Sequence, residues 1–149
     1  METESSIQHF LYNWRYIKSD MIICPGVYIE YGEADLFSIT RTGYSHEFEI
    51  KISKSDFKAD LKKPKHKAYG EKGNTPNYFW YCCPKGLLVV DDMPNDSYGL
   101  LYIIGKQVKI IRRAKLLHKN KCSDKQKQRV LLSMMHRYWQ LKNKIDNNL

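Results

Sequence analysis

The stretch that most constrains the fold is residues 44–52, where charged and apolar side chains alternate. The charged members share one side of an extended chain and the apolar members share the other, namely Glu47, Glu49 and Lys51 against Phe48, Ile50 and Ile52. Successive side chains of a β-strand point to opposite faces. The pattern therefore predicts a strand whose apolar side faces the core.

A second extended segment, residues 27–39, precedes this strand and predicts a hairpin with it. The connection Arg41-Thr42-Gly43 suits a three-residue loop, because Gly43 can adopt the positive φ that such loops use. Centring the turn on Thr42 gives a definite register. Three opposed pairs then share one face: Asp35 with Glu49, Glu33 with Lys51, and Phe37 with Glu47.

The predicted pairing of Asp35 with Glu49 has a chemical consequence. Two carboxylates directly opposite each other destabilise a sheet unless positive charge lies between them. Magnesium is a natural candidate, since it binds one or two carboxylates and completes its shell with water and phosphate. Lys51 beside that site would polarise a phosphate or help to deprotonate a metal-bound water. The cluster favours phosphodiester hydrolysis, and the lysine argues against a glycosidase pair of acids.

These residues resemble the PD-(D/E)XK nuclease superfamily, and most of all its small stand-alone bacterial and phage members. Asp35 is followed, after thirteen intervening residues, by Glu49-Ile50-Lys51, and the next stretch reads Ile52-Ser53-Lys54-Ser55-Asp56-Phe57. Later segments match in order, from the strand at 78–84 to Tyr98-Gly99-Leu100 before a hairpin. The resemblance covers about residues 6–118. It departs at Glu33-Ala34, where the family's name suggests a proline.

The resemblance implies an α/β fold with a restriction-endonuclease-like core, a mixed central sheet flanked by helices, and an extra C-terminal helix. Asp35, Glu49 and the backbone carbonyl of Ile50 would bind magnesium or manganese, and Lys51 would orient or activate the attacking water. The implied function is a deoxyribonuclease, an endonuclease or exonuclease acting in DNA repair, replication or phage DNA processing. A non-catalytic nucleic-acid-binding module that keeps this fold is the alternative.

Several nearby residues are candidates for supporting roles. Glu33 is expected either as a supporting acid or as a plain salt-bridge partner of Lys51. The stretch Lys65, His66, Lys67 and Tyr69 falls where some relatives carry a lysine or tyrosine that contacts phosphate, and a solvated loop is at least as consistent, with Lys67 and Tyr69 as the supporting candidates. We expect Glu2 and Glu4 to precede the first helix and to be too early for a metal site, and a lone His66 does not indicate a catalytic base. A bland alternative also remains for the whole cluster: a half-exposed hairpin whose outer face simply carries charge, with the lysine at 51 relieving the acids at 33 and 49.

The charge of the chain favours a polyanionic partner. The formal net charge is +9 and the sequence pI is about 9.3, which indicates DNA as the expected partner and leaves RNA open. Lysines crowd residues 54–67, and residues 106–129 hold ten Lys or Arg against one acid. Charge runs are often only solvated. The residues predicted to hold nucleic acid are Lys54, Lys58, Lys62, Lys65, Arg112 and Arg113.

The remaining elements complete one predicted domain over residues 1–149. We expect a first helix from about 6 to 19 capped by Ser5 or Ser6, a break at Pro25-Gly26, a short helix from Ser53 to near Pro64, and a loop at 70–77. A strand at 78–83 and a hairpin of 100–104 with 107–111 follow. The final helix, about 123–145, carries an apolar stripe that we interpret as core: Val130, Leu131, Met134, Met135, Tyr138, Leu141 and Ile145.

Cysteine usage and hydropathy indicate the compartment. Cys24, Cys82, Cys83 and Cys122 lack the spacing of a zinc site and are expected to be reduced and structural. No signal sequence or membrane-length apolar run is present, so we expect a soluble protein of the cytoplasm, or of the host cytoplasm if the protein is viral. Whether two subunits form a homodimer and pair their sites stays open.

Overall fold

The computed structural model describes residues 1–29, 32–69 and 75–148, and these form helices around one mixed sheet. In chain order the elements are α1 (Glu4–Ile17), β1 (Ile22–Ile29), β2 (Gly32–Ile39), β3 (Ser45–Ile50), α2 (Lys54–Asp60), α3 (Lys65–Ala68), β4 (Tyr78–Pro84), a 3₁₀ turn (Val90–Asp92), β5 (Gly99–Ile104), β6 (Gln107–Arg112) and α4 (Asp124–Asn147). The strands lie side by side in chain order. β3, β4 and β5 are parallel, and the other neighbours are antiparallel. The predicted α/β class is confirmed.

The predicted register of the β2–β3 hairpin is confirmed. Leu36 pairs with Phe48 and Phe37 pairs with Glu47, as a turn centred on Thr42 requires. Gly43 has φ of 95°, a conformation that glycine adopts without strain. Continued by one residue, the register brings Asp35 alongside Glu49.

The segment before this hairpin differs from the prediction. Residues 27–39 are not one strand, and Pro25-Gly26 does not break the chain, because β1 runs through both residues and pairs with β2. β1 is an edge strand of the sheet, where proline is tolerated because its missing N–H leaves no ladder bond unmade. Gly26 has φ of 50° between two paired residues. The sequence signal for a turn therefore marked an irregular edge strand.

Helix α1 covers the apolar side of β3. It begins at Glu4 because Thr3 is its cap: the Thr3 hydroxyl accepts the Ser6 N–H, and the Ser6 hydroxyl accepts the Thr3 N–H. The predicted caps at Ser5 or Ser6 were therefore wrong. Ile7 and Leu11 are fully buried in one cluster with Phe48 and Ile50, as the alternation predicted. Ile52 was placed wrongly, since β3 ends at Ile50 and its side chain is 48% exposed.

The opposite side of β3 is covered by α2 and α3. Ser53 caps α2 as predicted, accepting the Asp56 N–H at 3.2 Å, and Phe57 packs into a cluster with Phe79 and Tyr81. The chain then turns through Pro64 into α3, a short helix that was not predicted. Of the predicted loop at 70–77, residues 70–74 lie outside the described residues.

The predicted hairpin of β5 and β6 is confirmed. Gly105 and Lys106 occupy its two-residue turn with φ of 56° and 67°, the pair of positive values of a type I′ turn. β6 packs against α1 on the same side of the sheet as Phe48, where Val108 and Ile110 contact the cluster.

Helix α4 has the predicted extent but not the predicted packing. Ser123 caps it, and Val130 alone among its described residues is buried. The rest of the stripe interpreted as core is exposed, namely Leu131, Met134, Met135, Tyr138, Leu141 and Ile145. The helix packs against the edge strand β1, where Arg137 donates hydrogen bonds to the carbonyls of Pro25 and Gly26. Periodicity identified an apolar face without identifying what covers it.

Two further expectations concern the thiols and the membrane. All four cysteines are buried and unpaired, and Cys82 and Cys83 are neighbours on β4, so the prediction of free structural thiols is confirmed. None of the helices in the described ranges combines the length and the apolar character needed to cross a bilayer.

Candidate active site

The charged side of β3 is buried, so the interpretation as a half-exposed hairpin was wrong. Glu47 and Glu49 are 0% and 1% exposed. Carboxylates buried to this degree are costly unless partners compensate their charge. The surrounding elements supply such partners, and they define the site.

Asp35 lies at the end of this cluster nearest to α1. Its Oδ2 accepts the backbone N–H of Ile50 at 2.7 Å, and its carbonyl accepts the side-chain amide of Gln8 from α1 at 2.9 Å. Burial raises the pKa of Asp35 to about 7, and the neighbouring Glu49 charge adds to this rise. The hydrogen bond from Ile50 opposes the shift only in part. Within the described residues, no Lys, Arg or His side chain lies within 4 Å of the Asp35 carboxylate.

Lys51 is held between two acids and is 6% exposed. Its Nζ lies 3.4 Å from Glu49 Oε2 and 3.3 Å from Asp60 Oδ1. The structure therefore brings Asp35, Glu49 and Lys51, the three predicted catalytic residues, into one cluster. Lys51 is anchored there by Asp60 on α2.

Lys65 neutralises the two glutamates from the other side. Its Nζ lies 2.8 Å from Glu47 Oε2 and also contacts Glu49 Oε1, and the Tyr69 hydroxyl donates to Glu47. Burial by itself would lower the pKa of Lys65, but the two carboxylates outweigh it and the pKa lies above its usual value. Lys65 was predicted as a surface contact for nucleic acid. That assignment was wrong, because the side chain is 1% exposed.

Asp60 is the centre of a second group that sequence reasoning did not assign to the site. It is 1% exposed and contacts Lys63, His66 and the Tyr81 hydroxyl at 2.9, 3.0 and 2.6 Å. Burial would raise the pKa of Asp60, but these hydrogen bonds and the Lys51 charge outweigh it and hold the pKa well below its usual range. Asp60, Lys63 and His66 are spaced three apart, a helical signal that could have grouped them.

His66 is tied into the structure on both ring nitrogens. Nε2 lies 3.0 Å from Asp60 and Nδ1 lies 2.9 Å from the Tyr98 hydroxyl. The ring also packs edge-on against Phe79. This histidine positions Asp60, which in turn contacts Lys51.

The structure differs from both expectations about supporting acids, the one for Glu33 and the one for Glu4. Glu33 is exposed, its carboxylate lies beside Gly26, and it makes no ion pair with Lys51 within the described residues, so the predicted salt bridge was wrong. Glu4 was expected to be too early, yet it stands in the first turn of α1 and its charge contributes to raising the pKa of Asp35. The earlier start of α1 at the Thr3 cap explains this error.

The other predicted contacts for nucleic acid divide into two groups. Lys54, Lys58, Lys62, Lys67 and Arg113 are exposed. Arg112 is half-buried, and its guanidinium donates to the carbonyls of Tyr98 and Asn95. That arginine supports the backbone before β5 and is less free than the others to bind phosphate.

The described acids at this site do not form a recognisable metal-binding group by themselves. Over the described ranges, no group of three or more Asp, Glu, His or Cys side chains is arranged to hold a metal. Magnesium binds few protein ligands and keeps several waters or phosphate oxygens, so Asp35 and Glu49 are the two carboxylates that would have to hold it. The raised pKa of Asp35 is consistent with a position that lacks a compensating cation.

Comparison with known proteins supports the fold and indicates no activity. No protein family and no curated protein matches the chain. The chain is similar to a solved structure, the SPO1766 protein of unknown function from Silicibacter pomeroyi, with a TM-score of 0.62 and 16% sequence identity over 83% of this chain and 80% of that one. At this identity the likeness shows a shared fold alone.

Proposed function

We propose that this chain is a metal-dependent nuclease that hydrolyses phosphodiester bonds in DNA on a restriction-endonuclease-like core. One observation carries the proposal: Asp35 and Glu49 are neighbours on β2 and β3, and the Lys51 ammonium lies 3.4 Å from Glu49. Two carboxylates and a lysine around one point are what phosphoryl-transfer chemistry needs. The element order of the core supports the proposed likeness to PD-(D/E)XK nucleases.

The residues around the site have separate roles in this proposal. Asp35, Glu49 and the Ile50 carbonyl would hold magnesium or manganese, which would neutralise phosphate charge and make a bound water more acidic. Lys51 holds the attacking water or the charge that develops on phosphate. Asp60 keeps the Lys51 ammonium in place at 3.3 Å. Glu4 at the start of α1 adds negative charge near Asp35 and supports cation binding.

Cleavage assays test this function. Wild-type protein should convert plasmid or single-stranded DNA to shorter products with magnesium and not without it. Lys51→Ala should lower turnover by on the order of 100-fold or more, the usual effect of removing a preorganised electrostatic group, with little change in DNA affinity. Asp35→Asn should also lose cleavage, but higher magnesium or manganese should restore part of it.

Matched controls separate chemistry from folding. Lys106→Ala removes an exposed lysine from the β5–β6 turn and should leave turnover near the wild-type value. Thermal unfolding of each variant shows whether it is folded. If folded Lys51→Ala and Asp35→Asn both cleave like the wild type under matched metal and salt, the catalytic assignment is wrong.

A nucleic-acid-binding module without turnover is the second candidate. It is favoured by one observation, that Glu49 already contacts the ammonium groups of Lys51 and Lys65, with Lys63 at 3.9 Å. On this alternative the lysines serve as permanent counter-ions in place of a metal. DNA binding with no magnesium-dependent product at any protein concentration would favour it.

The exposed lysines of α2 and the following turn are proposed to hold DNA beside the site. Neutralising phosphates releases counter-ions, so each lost contact lowers the dependence of affinity on salt. The triple variant Lys54→Ala, Lys58→Ala, Lys62→Ala should weaken DNA binding and flatten its salt slope. An unchanged slope would mean that these charges are only solvated.

We also propose that two copies pair through α4. Leu131, Met134, Tyr138, Leu141 and Ile145 follow the alternate three- and four-residue spacing of a helix-pairing seam, and each is 37–63% exposed. Leu132, Met135 and Trp139 of the same helix are also 46–52% exposed. Large apolar side chains exposed together in this way are typical of a surface that a partner covers.

Light scattering during size-exclusion chromatography tests this pairing. The wild type should have the mass of two chains, and Leu141→Glu should have the mass of one. Lys144→Glu changes the charge of the same helix outside the seam and should remain paired. A wild type of single-chain mass at high concentration would contradict the dimer.

A further inference from the structure

A pocket of about 440 Å³ opens on the side of the sheet opposite to the acidic cluster. His46 and Glu47 are consecutive on β3, so their side chains point to opposite faces. α1, the β2–β3 loop and the end of β6 surround the pocket. The residues that matter here are Trp14, Lys18, Tyr44, His46, Tyr78 and Arg113.

His46 gives this pocket a largely buried imidazole that has a protein partner, among the described residues, on one ring nitrogen only. The imidazole is 8% exposed, and Nδ1 accepts the indole N–H of Trp80 at 3.0 Å. Because the indole is only a donor, the neutral ring must carry its own hydrogen on Nε2. Burial lowers the pKa of His46 to about 3, so the ring stays neutral at physiological pH. Within the described residues nothing accepts from Nε2, and the pocket is where His46 borders solvent.

Aromatic rings form the walls of the pocket. The His46 ring stacks on Tyr78 with centroids 4.7 Å apart and planes within 14°. Trp14 and Tyr44 are both partly exposed at the opening. Flat apolar walls of this kind accept the π-face of any base, and base stacking of this sort is common in proteins that bind single strands.

Two cations stand at the rim of the pocket. Lys18 and Arg113 are exposed, and neither makes an ion pair within the part of the chain that the structure describes. Arg15 also lines the pocket, but Asp20 neutralises it through two hydrogen bonds of 2.6 and 2.8 Å. The charge available to a ligand is therefore that of Lys18 and Arg113.

We propose that this pocket binds one nucleotide, with the base stacked on the aromatic walls, a base acceptor on the Nε2–H of His46, and the phosphate at Lys18 and Arg113. The ligand chemistry is that of a base carrying a phosphate, whether in a free mononucleotide or in a DNA strand. The volume is within the range of small-molecule sites. The site is separate from the acidic cluster, and the proposal does not rest on cleavage.

Fluorescence titration with deoxyadenosine monophosphate tests the proposal, since Trp14 lines the pocket. Binding should quench the emission in a saturable way. Tyr44→Leu removes one stacking wall and should weaken binding roughly five-fold or more, the lower end of the effect of losing one base–aromatic stack. The double variant Lys18→Ala, Arg113→Ala should weaken binding similarly. Lys106→Ala, Lys109→Ala, which removes two exposed lysines from the β5–β6 hairpin, should bind like the wild type.

Two further probes separate the sources of the ligand. Deoxyribose 5-phosphate lacks the base and should bind far more weakly than the nucleotide. A 5′-phosphorylated tetranucleotide that binds more tightly than the mononucleotide, and loses that affinity in Tyr44→Leu, would identify a strand as the ligand. Equal affinity of the two would identify the free nucleotide.

A spectroscopic measurement reports on His46 without a substitution in the core. Nitrogen-15 shifts of the imidazole should show a neutral ring with its hydrogen on Nε2, and the Nε2 signal should move when the nucleotide binds. The proposal is overturned if no probe quenches saturably, if the sugar phosphate binds as tightly as the nucleotide, or if the Nε2 signal is unmoved at saturation.

Discussion

The two sides of β3 are buried equally but are stabilised by different interactions. On the α1 side, Phe48 and Ile50 pack against Ile7 and Leu11, and their stabilisation comes from apolar area removed from water. On the other side, Glu47 and Glu49 are buried with charged partners. Burying a charge pair seldom stabilises more than apolar residues of the same shape would. A fold that keeps the charged arrangement in its interior is therefore more readily explained by a function for those charges.

The largest expected loss of stability comes from removing a charge on the side of β3 that carries Glu47 and Glu49. Lys65→Ala removes the ammonium that contacts both glutamates, and loss of one partner of a buried pair usually costs about 3 to 5 kcal/mol. We expect a fall of that size in the free energy of unfolding, measured by urea denaturation at pH 7.5. Lys62→Ala, an exposed lysine of the same region, should change stability little.

The pH dependence of that variant distinguishes lost charge from lost packing. Burial already raises the pKa of Glu47 even though Lys65 opposes the rise. A raised folded-state pKa means that stability is greatest when the group is protonated and is lost as pH rises through that pKa. The deficit of Lys65→Ala should therefore shrink as the pH falls toward 5. A deficit that is constant with pH would indicate a packing defect.

A smaller effect is expected on the apolar side. Trp80→Phe removes the indole N–H and leaves the Nδ1 of His46 a buried acceptor without a partner, which costs about 1 to 3 kcal/mol. Chemical denaturation measures this loss, and Tyr28→Phe on the exposed side of β1 is the control. Imidazole nitrogen-15 shifts should also change from one tautomer to a mixture of two. Wild-type stability with an unchanged tautomer would contradict the assigned hydrogen bond.

The sequence predicted one side of β3 more fully than the other. Alternation located the strand, the register of its hairpin and the contact of Phe48 with a helix, because these follow from local geometry and from the short loop at Gly43. The contact of Lys65 with both glutamates was missed because Lys65 is carried by α3, whose four residues give no periodic signal. The apolar stripe of α4 was wrongly interpreted as core for a different reason, since periodicity does not identify the surface that covers a helix.

A gain in stability is expected at Asp35, where function and stability conflict. Its pKa rises from 3.8 to about 7 on folding, so the ionised carboxylate opposes folding at neutral pH. Asp35→Asn keeps an acceptor for the Ile50 N–H and removes the charge. We expect the free energy of unfolding to rise by at least about 1 kcal/mol, less than the full shift would give at about 1.4 kcal/mol per pKa unit.

The sign of the pH effect at Asp35 provides the control. Below about pH 4 both forms are neutral at this position, so the variant and the wild type should have equal stability. The advantage of Asp35→Asn should grow as pH rises and be complete above about pH 7. Asp56→Asn, an exposed acid of α2, should show no such growth. A variant that is less stable than the wild type at pH 8 would contradict the predicted cost of the Asp35 charge.

The smallest expected effect concerns Ser38, which lies opposite His46 in the β2–β3 register. Its hydroxyl is buried and has no hydrogen-bond partner in the described parts of the chain, whereas the buried hydroxyl of Ser45 bonds to Asn77. An unpaired buried hydroxyl loses its hydrogen bonds to water and gains none in the protein. Ser38→Ala should therefore be neutral or stabilising by up to about 1 kcal/mol. Ser45→Ala should instead destabilise by about 1 kcal/mol, because it leaves the buried backbone N–H of Asn77 without its acceptor. Thermal and urea unfolding of the matched pair measure both changes, and equal losses in the two variants would mean that the Ser38 hydroxyl is satisfied after all.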